Sequence, residues 1–198
     1  MKLRVGIFIF DQVEVLDFAG PFEVFATAKQ GEIHLYEVFT VGLTDENIKT
    51  FGGMQIEPNY TINNCPTLDI FILPGAEDIS FPSLSNSKTF DWIRKQNSSN
   101  TLILSICTGA FVLARIGLLN GLTAATHPSE NQNFALEFPQ LALRKDARFV
   151  DNGKILCSAG VSSGIDLALY VLEREHGKKV AQQVAERMDY IPRKNSII

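Results

Sequence analysis

The chain has 198 residues, of which 45% are hydrophobic and 20% are charged, and this balance excludes a disordered protein. Its formal net charge of −4 gives no general attraction to nucleic acid or to an anionic membrane, so we expect a small molecule or another protein as the partner. At ~150 residues per domain, the length predicts a single domain over residues 1–198.

Short apolar runs alternate with helix-like segments along the whole chain. The apolar runs predict strands at 3–10, 36–43, 68–73 and 101–106. Helices are predicted at 21–29, 87–96, 110–115, 164–175 and 178–188. A β-arm is predicted around 54–62, and a hairpin at 148–157 with its turn at Asp151-Asn152-Gly153. Gly20-Pro21 is predicted to open the first helix, because proline is well tolerated at a first helical position.

This alternation predicts an α/β fold, in which helices cover both faces of a mostly parallel sheet. In such sheets, ligands bind beyond the carboxyl ends of the strands. Turns that carry chemically capable residues follow predicted strands at Asp17, at Gly75-Ala76 and at Cys107-Thr108. We therefore expect these turns to meet at one edge of the sheet.

The three cysteines, Cys65, Cys107 and Cys157, are too few for a disulfide scaffold, and an odd number of them cannot pair completely. Reduced thiols and a cytoplasmic location are therefore expected. The N-terminal apolar run ends at Asp11 without a small-residue cleavage site, which is untypical of a signal peptide. The longest apolar stretch, 102–114, is shorter than the ~20 residues that cross a bilayer, so we expect no membrane insertion.

Cys107 is the strongest candidate nucleophile. A sharp turn from a strand into a helix can lift one side chain clear of the sheet, and Ser105-Ile106-Cys107-Thr108-Gly109 places a thiol at such a turn. The amino end of a helix favours the thiolate, which is the reactive form. The alternative is a buried, inert cysteine, and we assign that role to Cys65 and Cys157. We expect an exposed Cys107 sulfur in contact with the Asp17 carboxyl group.

Asp17 lies in an apolar turn, where a carboxyl group needs an explanation. It is either an acid and base for Cys107 or a cap for the helix at Gly20-Pro21, and the residues alone do not decide between the two. Glu23 lies one turn further on and faces either the same crevice or solvent.

Donors around these turns are candidates for binding a substrate. Thr108 carries a hydroxyl group and the N–H that follows the nucleophile, a position that often holds a developing anion. Gly75 supplies a second N–H, with Ala76 beside it. His127 is either a base or, as is more usual for a lone histidine beside proline, a hydrogen-bonded core residue.

The sequence contains no motif for a cofactor or a metal ion. Neither GxGxxG nor GxxxxGKS/T occurs, so the binding of nucleotide phosphates has no support. No cluster of His, Cys and Glu has the spacing of zinc ligands. We therefore expect chemistry that side chains carry without a cofactor.

Four motifs occur in an order that resembles the ThiJ/PfpI superfamily of class I glutamine amidotransferase-like proteins. They are DFAGPFEVF (17–25), DIFILPGA (69–76), SICTGA (105–110) and SAGVSSGID (158–166). The first and third together most resemble the isonitrile hydratase subgroup. The resemblance implies a flavodoxin-like three-layer α/β/α sandwich, and a homodimer with each active site near the subunit interface.

The resemblance also implies roles for individual residues. Cys107 matches the nucleophile, Asp17 its acidic hydrogen-bond partner and Thr108 the threonine that follows the nucleophile, while Gly75 matches the backbone opposite. The implied reaction adds water to an isonitrile to give an N-substituted formamide, without a cofactor. Peptidase-like members have histidine where Thr108 stands, which argues against protease activity. Pro128 replaces an aromatic residue that often follows His127 in related proteins, which affects the pocket wall.

Other functions of the same cysteine remain open. One alternative is a non-catalytic sensor of a small ligand, since this fold also serves transcription regulators. The residues after Met188 are too few for a helix-turn-helix module, so DNA binding is not expected. Another is a redox sensor in which Cys107 is oxidised to a sulfinate that a carboxylic acid holds. Glyoxalase or deglycase chemistry uses the same nucleophile but usually needs a nearby histidine.

Overall fold

An eight-stranded, mainly parallel sheet forms the middle of the computed structural model, which describes residues 2–78, 86–98, 100–193 and 196–197. The strands of this sheet are β1 (Leu3–Phe8), β4 (Tyr36–Gly42), β7 (Tyr60–Thr61), β8 (Ile70–Leu73), β9 (Leu102–Ile106), β12 (Phe149–Asp151), β13 (Ile155–Ser158) and β14 (Ser196–Ile197). The helices are α1 (Val15–Thr27), α2 (Ser87–Ser98), α3 (Gly109–Arg115), α4 (Asn131–Glu137), α5 (Ser163–His176) and α6 (Lys178–Arg187).

The strand order is β14-β12-β13-β9-β8-β1-β4-β7, with β12 and β13 as the antiparallel pair. Three two-stranded ladders accompany the sheet: β2 (Lys29–Gln30) with β3 (Ile33–His34), β5 (Ile48–Lys49) with β6 (Gln55–Ile56), and β10 (Thr123–Ala124) with β11 (Ala142–Leu143). The α/β class, the mostly parallel sheet and the flavodoxin-like sandwich are therefore confirmed.

The central strands β8 and β9 are apolar at every position except Ser105, because both of their faces are covered. All four residues of β8 are buried, as are the last four residues of β9. On one side, the Trp92 ring of α2 packs edge-on against Phe71, with 5.2 Å between the ring centroids. Elsewhere, α1 packs against α5 and contacts β1 and β4. The site at the sheet edge therefore stands on a closely packed support.

The first helix begins earlier than the sequence predicts. It starts at Val15, so Pro21 lies inside the helix and Asp17 lies in its first turn. A proline at position 21 cannot donate its backbone hydrogen bond to the Asp17 carbonyl, which costs helix stability. Burial of Phe18, Val24 and other apolar residues on one face compensates for that loss. The interpretation of Asp17 as the cap of a helix opened by Gly20-Pro21 is therefore wrong.

The other predicted elements occur within a few residues of their predicted bounds, whereas α4 and the short strands β2, β3, β5, β10, β11 and β14 have no counterpart in the prediction. The hairpin turn is confirmed: Gly153 has a φ of +84°, and its N–H donates to the Asp151 carboxylate at 2.6 Å. The predicted β-arm divides, since β6 pairs with β5 while β7 joins the main sheet beside β4. Among the described residues, no helix is long and apolar enough to cross a membrane.

The carboxyl ends of four neighbouring strands form the edge that carries the candidate site. In the order β13-β9-β8-β1, Ser158 is the last residue of β13, and the segments that follow the other three strands contain Cys107, Gly75 and Asp17. Because parallel strands end at the same edge, residues far apart in sequence meet there. The expectation that the three turns converge is confirmed by the hydrogen bonds that join them.

Candidate active site

Cys107 occupies a strained turn between β9 and α3. Its φ of +57° lies in the left-handed region, which is uncommon for a residue with a side chain and costs of order 1–3 kcal/mol. Two hydrogen bonds hold this backbone: Cys107 N–H donates to the Ser158 carbonyl at 3.2 Å, and the Thr126 hydroxyl donates to the Cys107 carbonyl at 3.0 Å. Gly109 permits the turn, because a Cβ there would lie 2.3 Å from the Leu73 carbonyl oxygen.

The Cys107 side chain is buried, with 6% of its surface exposed, so the expectation of an exposed sulfur is wrong. The surrounding Asp17, Ala76 and Thr108 are also buried. Its surroundings are nevertheless polar, because the sulfur accepts a hydrogen bond from the Thr108 N–H and shares one with the Asp17 carboxyl group. The expected contact between the thiol and the carboxyl group is therefore present.

The Asp17 carboxyl group is fully buried and is surrounded by few hydrogen-bond donors. Its Oδ2 accepts the Gly75 N–H at 2.9 Å. Its Oδ1 finds no hydrogen-bond partner among the described residues, and the Cys107 thiol interacts with the carboxyl group. A buried carboxylate with so few donors is costly, so the neutral acid is favoured. Asp17 therefore does not serve as a helix cap, and its donor comes from the turn after β8.

Burial raises the pKa of Asp17 to about 7, and the nearby charge of Glu14 adds to this effect, whereas the Gly75 N–H opposes it. Burial also raises the pKa of the Cys107 thiol far above its usual range, and the Asp17 carboxylate raises it further. The amino end of α3 does not overcome these effects, so the expected preference for thiolate is wrong. At neutral pH the thiol therefore keeps its proton, while the Asp17 carboxyl group changes its protonation near this pH.

Thr108 connects the nucleophile turn to the turn after β8. Its hydroxyl donates to the Ala76 carbonyl at 2.7 Å and accepts the Ala76 N–H at 2.9 Å. The N–H groups of Gly75 and Ala76 are thus already bonded, to Asp17 and Thr108. We expected Gly75, Ala76 and Thr108 to hold a substrate anion, but this geometry gives them the role of positioning Asp17 and the turn.

Glycine is required at position 75 because Thr108 and Asp17 closely approach its backbone. A Cβ at this position would lie 2.5 Å from Thr108 Oγ1, 2.7 Å from Thr108 N and 3.0 Å from Asp17 Oδ2. The absence of a side chain lets the Gly75 backbone reach both the carboxyl group and the turn that carries the thiol.

The other acidic and basic candidates take different places. His127 lies next to Thr126, but its Nδ1 is engaged by Ser129, at 2.7 Å from the hydroxyl oxygen and 3.3 Å from the backbone nitrogen. Glu23 is exposed to solvent. The acidic neighbour that sequence reasoning missed is Glu14, which precedes α1 and acts electrostatically on both Asp17 and Cys107. Its spacing of three residues before Asp17 was the available signal.

A metal site is not evident in the part of the chain that the structure describes, where no group of three or more His, Cys, Asp or Glu side chains is placed to hold an ion.

Comparison with known proteins identifies the family. The DJ-1/PfpI family pattern matches residues 3–174. This chain belongs to the DJ-1/PfpI family. Isonitrile hydratase from Pseudomonas putida is 33% identical over 193 residues, which cover 97% of this chain and 80% of that enzyme. The crystal structure of Drosophila melanogaster DJ-1beta superposes with a TM-score of 0.84 at 25% identity, covering 96% of this chain and 100% of that one.

Transcription regulators are also relatives of this DJ-1/PfpI protein. The HTH-type regulator GbdR from Pseudomonas aeruginosa is 26% identical over 187 residues, and these cover 94% of this chain. The chain spans about half of the regulator's length, since the match covers 50% of it. Because relatives with these different names share the fold, membership of the family does not fix the activity.

Proposed function

We propose that this protein adds water to an isonitrile to give an N-substituted formamide, with Cys107 as nucleophile and Asp17 as general acid and base. The observation that carries the proposal is the buried hydrogen bond between the thiol and a carboxyl group whose pKa is raised to about 7. A group with such a pKa both accepts and donates protons near neutral pH. The 33% identity to isonitrile hydratase supports this choice of substrate.

The first step joins the cysteine to the substrate. The sulfur of Cys107 forms a bond to the terminal carbon of R–N≡C, while its proton passes to the Asp17 carboxylate. Asp17 then gives that proton to the same carbon, and the product is the thioimidate R–N=CH–S–Cys107. The carboxylate is the competent form at the start of this step, because the thiol does not ionise without a base.

The second step releases the product with water. Asp17 takes a proton from a water molecule as the oxygen bonds to the thioimidate carbon, and it passes this proton to the imine nitrogen, which returns Asp17 to the carboxylate. The hydroxyl proton then returns through Asp17 to the sulfur as the carbon–sulfur bond breaks. The products are R–NH–CHO and the free thiol, so the cycle consumes one water and leaves the sulfur unoxidised.

Thr108, Gly75 and Ala76 keep these groups aligned. The paired hydrogen bonds between Thr108 and Ala76 fix the distance between the two turns. The Gly75 N–H orients one carboxyl oxygen of Asp17. The amide of Thr108 donates to the sulfur and stabilises negative charge on it.

The proposed assembly is a cytoplasmic homodimer of single-domain chains. Large apolar side chains are exposed beside the site, with exposed fractions of 40% for Leu16, 44% for Phe51 and 53% for Met54. Phe51 lies in the turn between β5 and β6. Its N–H donates to the Val13 carbonyl at 3.0 Å, which keeps this turn close to the start of α1. Such a patch is typical of a protein interface. Light scattering on the purified protein tests for a mass of twice one chain.

A second candidate function is sensing of a small ligand without turnover. The similarity to the regulator GbdR over 94% of this chain favours it. On that account, Cys107 and Asp17 bind or register a ligand, and the protein leaves isonitriles unchanged.

Turnover of small isonitriles tests the proposal. Infrared loss of the N≡C stretch, together with the mass of the formamide, should show multiple turnovers per wild-type chain. Cys107→Ala should abolish turnover, whereas Cys65→Ala should keep it, because Cys65 lies outside the site and its thiol donates to the Pro66 carbonyl. Wild-type-like turnover by Cys107→Ala, or none by the wild-type protein across the panel, contradicts the proposal.

A further inference from the structure

A cavity of about 480 Å³ opens at the same sheet edge as the Cys107 turn. Its walls come from Leu16, from His127-Pro128, from 145–148 and from 159–162. This volume is within the range of small-molecule sites. The two proposed reaction steps use none of these residues.

The walls of this cavity adjoin the candidate active site. Leu16 directly precedes Asp17 in the first helix. The 159–162 wall directly follows Ser158, whose carbonyl accepts the Cys107 N–H. The cavity wall is therefore one residue away along the chain from Asp17 and from the acceptor of the Cys107 N–H.

His127 presents a hydrogen-bond donor to this space. Its Nδ1 accepts the Ser129 N–H at 3.3 Å, so the neutral ring carries its proton on Nε2. Nε2 would lie 3.8 Å from a Cβ on Gly160, which places this edge of the ring against the 159–162 wall. The preceding Thr126 hydroxyl donates to the Cys107 carbonyl and so ties the ring to the site.

Lys145 supplies an uncompensated positive charge. Its ammonium group forms no ion pair and no hydrogen bond with any residue that the structure describes. The carboxylate that lines the cavity belongs to Asp146, whose side chain is 82% exposed and pairs with Arg144 at 3.5 Å. Asp146 therefore supplies the negative charge of the lining, and Arg144 rather than Lys145 pairs with it.

Arg148 and α5 add to the positive character of the cavity without adding a second free charge. The Arg148 guanidinium donates to Asp166 at 2.7 Å and to the Ser162 hydroxyl at 2.9 Å, so its charge is balanced by a buried carboxylate. The amino end of α5 adjoins the 159–162 wall and carries the positive end of the helix dipole.

We propose that this cavity binds the distal part of the substrate and selects an anionic tail, specifically a carboxylate, through Lys145 and the Nε2–H of His127. This assignment rests on the proposed isonitrile hydration and names the class of isonitrile that the site takes. The tail carboxylate accepts a hydrogen bond from His127 and pairs with Lys145, while Leu16 contacts the alkyl chain.

A matched pair of substrates tests this assignment. An isonitrile that ends in a carboxylate is compared with its methyl ester of the same chain length, and kcat/KM is measured for each. The carboxylate should be favoured by about fivefold, the upper range for one partly solvated ion pair. Lys145→Ala should bring the ratio to about one, Lys145→Arg should preserve it, and Lys179→Ala on the exposed surface of α6 should leave it unchanged. Raising the salt concentration should reduce the preference.

The outcomes separate this inference from the proposed function. Equal kcat/KM for both substrates in the wild-type protein refutes the anionic subsite and leaves the hydratase proposal standing. If neither substrate is turned over, the hydratase proposal fails, and calorimetric titration with the two corresponding formamides decides about the cavity. Tighter binding of the carboxylate formamide that Lys145→Ala removes supports the subsite, whereas equal binding of the two formamides overturns it.

Discussion

Replacement of Asp17 by asparagine isolates the proton chemistry of the site. Asparagine has nearly the same shape, and its carbonyl oxygen can keep the hydrogen bond that Asp17 Oδ2 accepts from Gly75 at 2.9 Å. The side chain no longer takes up or gives off a proton. The structure therefore predicts that Asp17→Asn folds and leaves the Cys107 turn in place but loses the base for the thiol.

The expected loss is about 10²–10⁴-fold in kcat, the usual contribution of general acid–base catalysis. At 1.36 kcal/mol for each factor of ten, this equals about 3–5 kcal/mol of transition-state stabilisation. The upper half of the range is favoured, because Asp17 is fully buried and acts in both steps of the proposed cycle.

The pH dependence of kcat/KM provides the assay. The wild-type activity should rise with pH through about 7, because Asp17 must be ionised to accept the thiol proton and its pKa is raised to about 7. In Asp17→Asn this limb should disappear. A variant with the wild-type rate, or one that keeps the rise near pH 7, would refute the assignment of Asp17 as the base.

Further predictions concern stability. Between pH 4 and pH 7, Asp17 is protonated in the folded protein but ionised in the unfolded chain. The free energy of unfolding of the wild-type protein, relative to that of Asp17→Asn, should therefore decrease as the pH rises from 4 to 7. The decrease should reach about 4 kcal/mol for a pKa raised from 3.8 to about 7. Gly75→Ala should cost about 1–3 kcal/mol, because its methyl group would meet Thr108. Thr108→Val should cost about 1–3 kcal/mol by leaving the buried polar groups of Ala76 unpaired, whereas Thr108→Ser should retain most of the stability.

Urea unfolding measures all three effects. A constant difference between Asp17→Asn and the wild-type protein from pH 4 to pH 8 contradicts the raised pKa. If Gly75→Ala has the free energy of unfolding of the wild-type protein, the close contact with Thr108 does not require glycine at this position. Equal losses for the valine and serine variants of Thr108 would point to packing rather than to the hydroxyl group.

The sequence carried enough information to bring the site residues together. The apolar runs of β8 and β9 identify buried parallel strands, and such strands deliver their following turns to one edge. This reasoning is sufficient to expect Asp17, Gly75 and Cys107 as neighbours. The matching motifs gave the same three positions through the resemblance to a family.

The errors arose where nonlocal packing outweighs a local preference. Pro21 is a good first residue for a helix, but the buried face of α1 extends the helix back to Val15. The amino end of α3 favours a thiolate at Cys107, but burial of this residue and the neighbouring Asp17 carboxylate favour the neutral thiol. The sequence analysis treats the backbone N–H groups of Gly75 and Ala76 as free donors. In the structure, they donate to side chains that lie more than thirty positions away in the chain.

Mass spectrometry of the protein during turnover tests the nucleophile most directly. Rapid acid quenching with a slow isonitrile substrate should trap a protein species heavier by the mass of one isonitrile, and peptide mapping should locate this addition at Cys107. Cys107→Ala should give neither the adduct nor the formamide. Formamide production without any adduct at Cys107, together with continued turnover by Cys107→Ala, would contradict covalent catalysis at this residue.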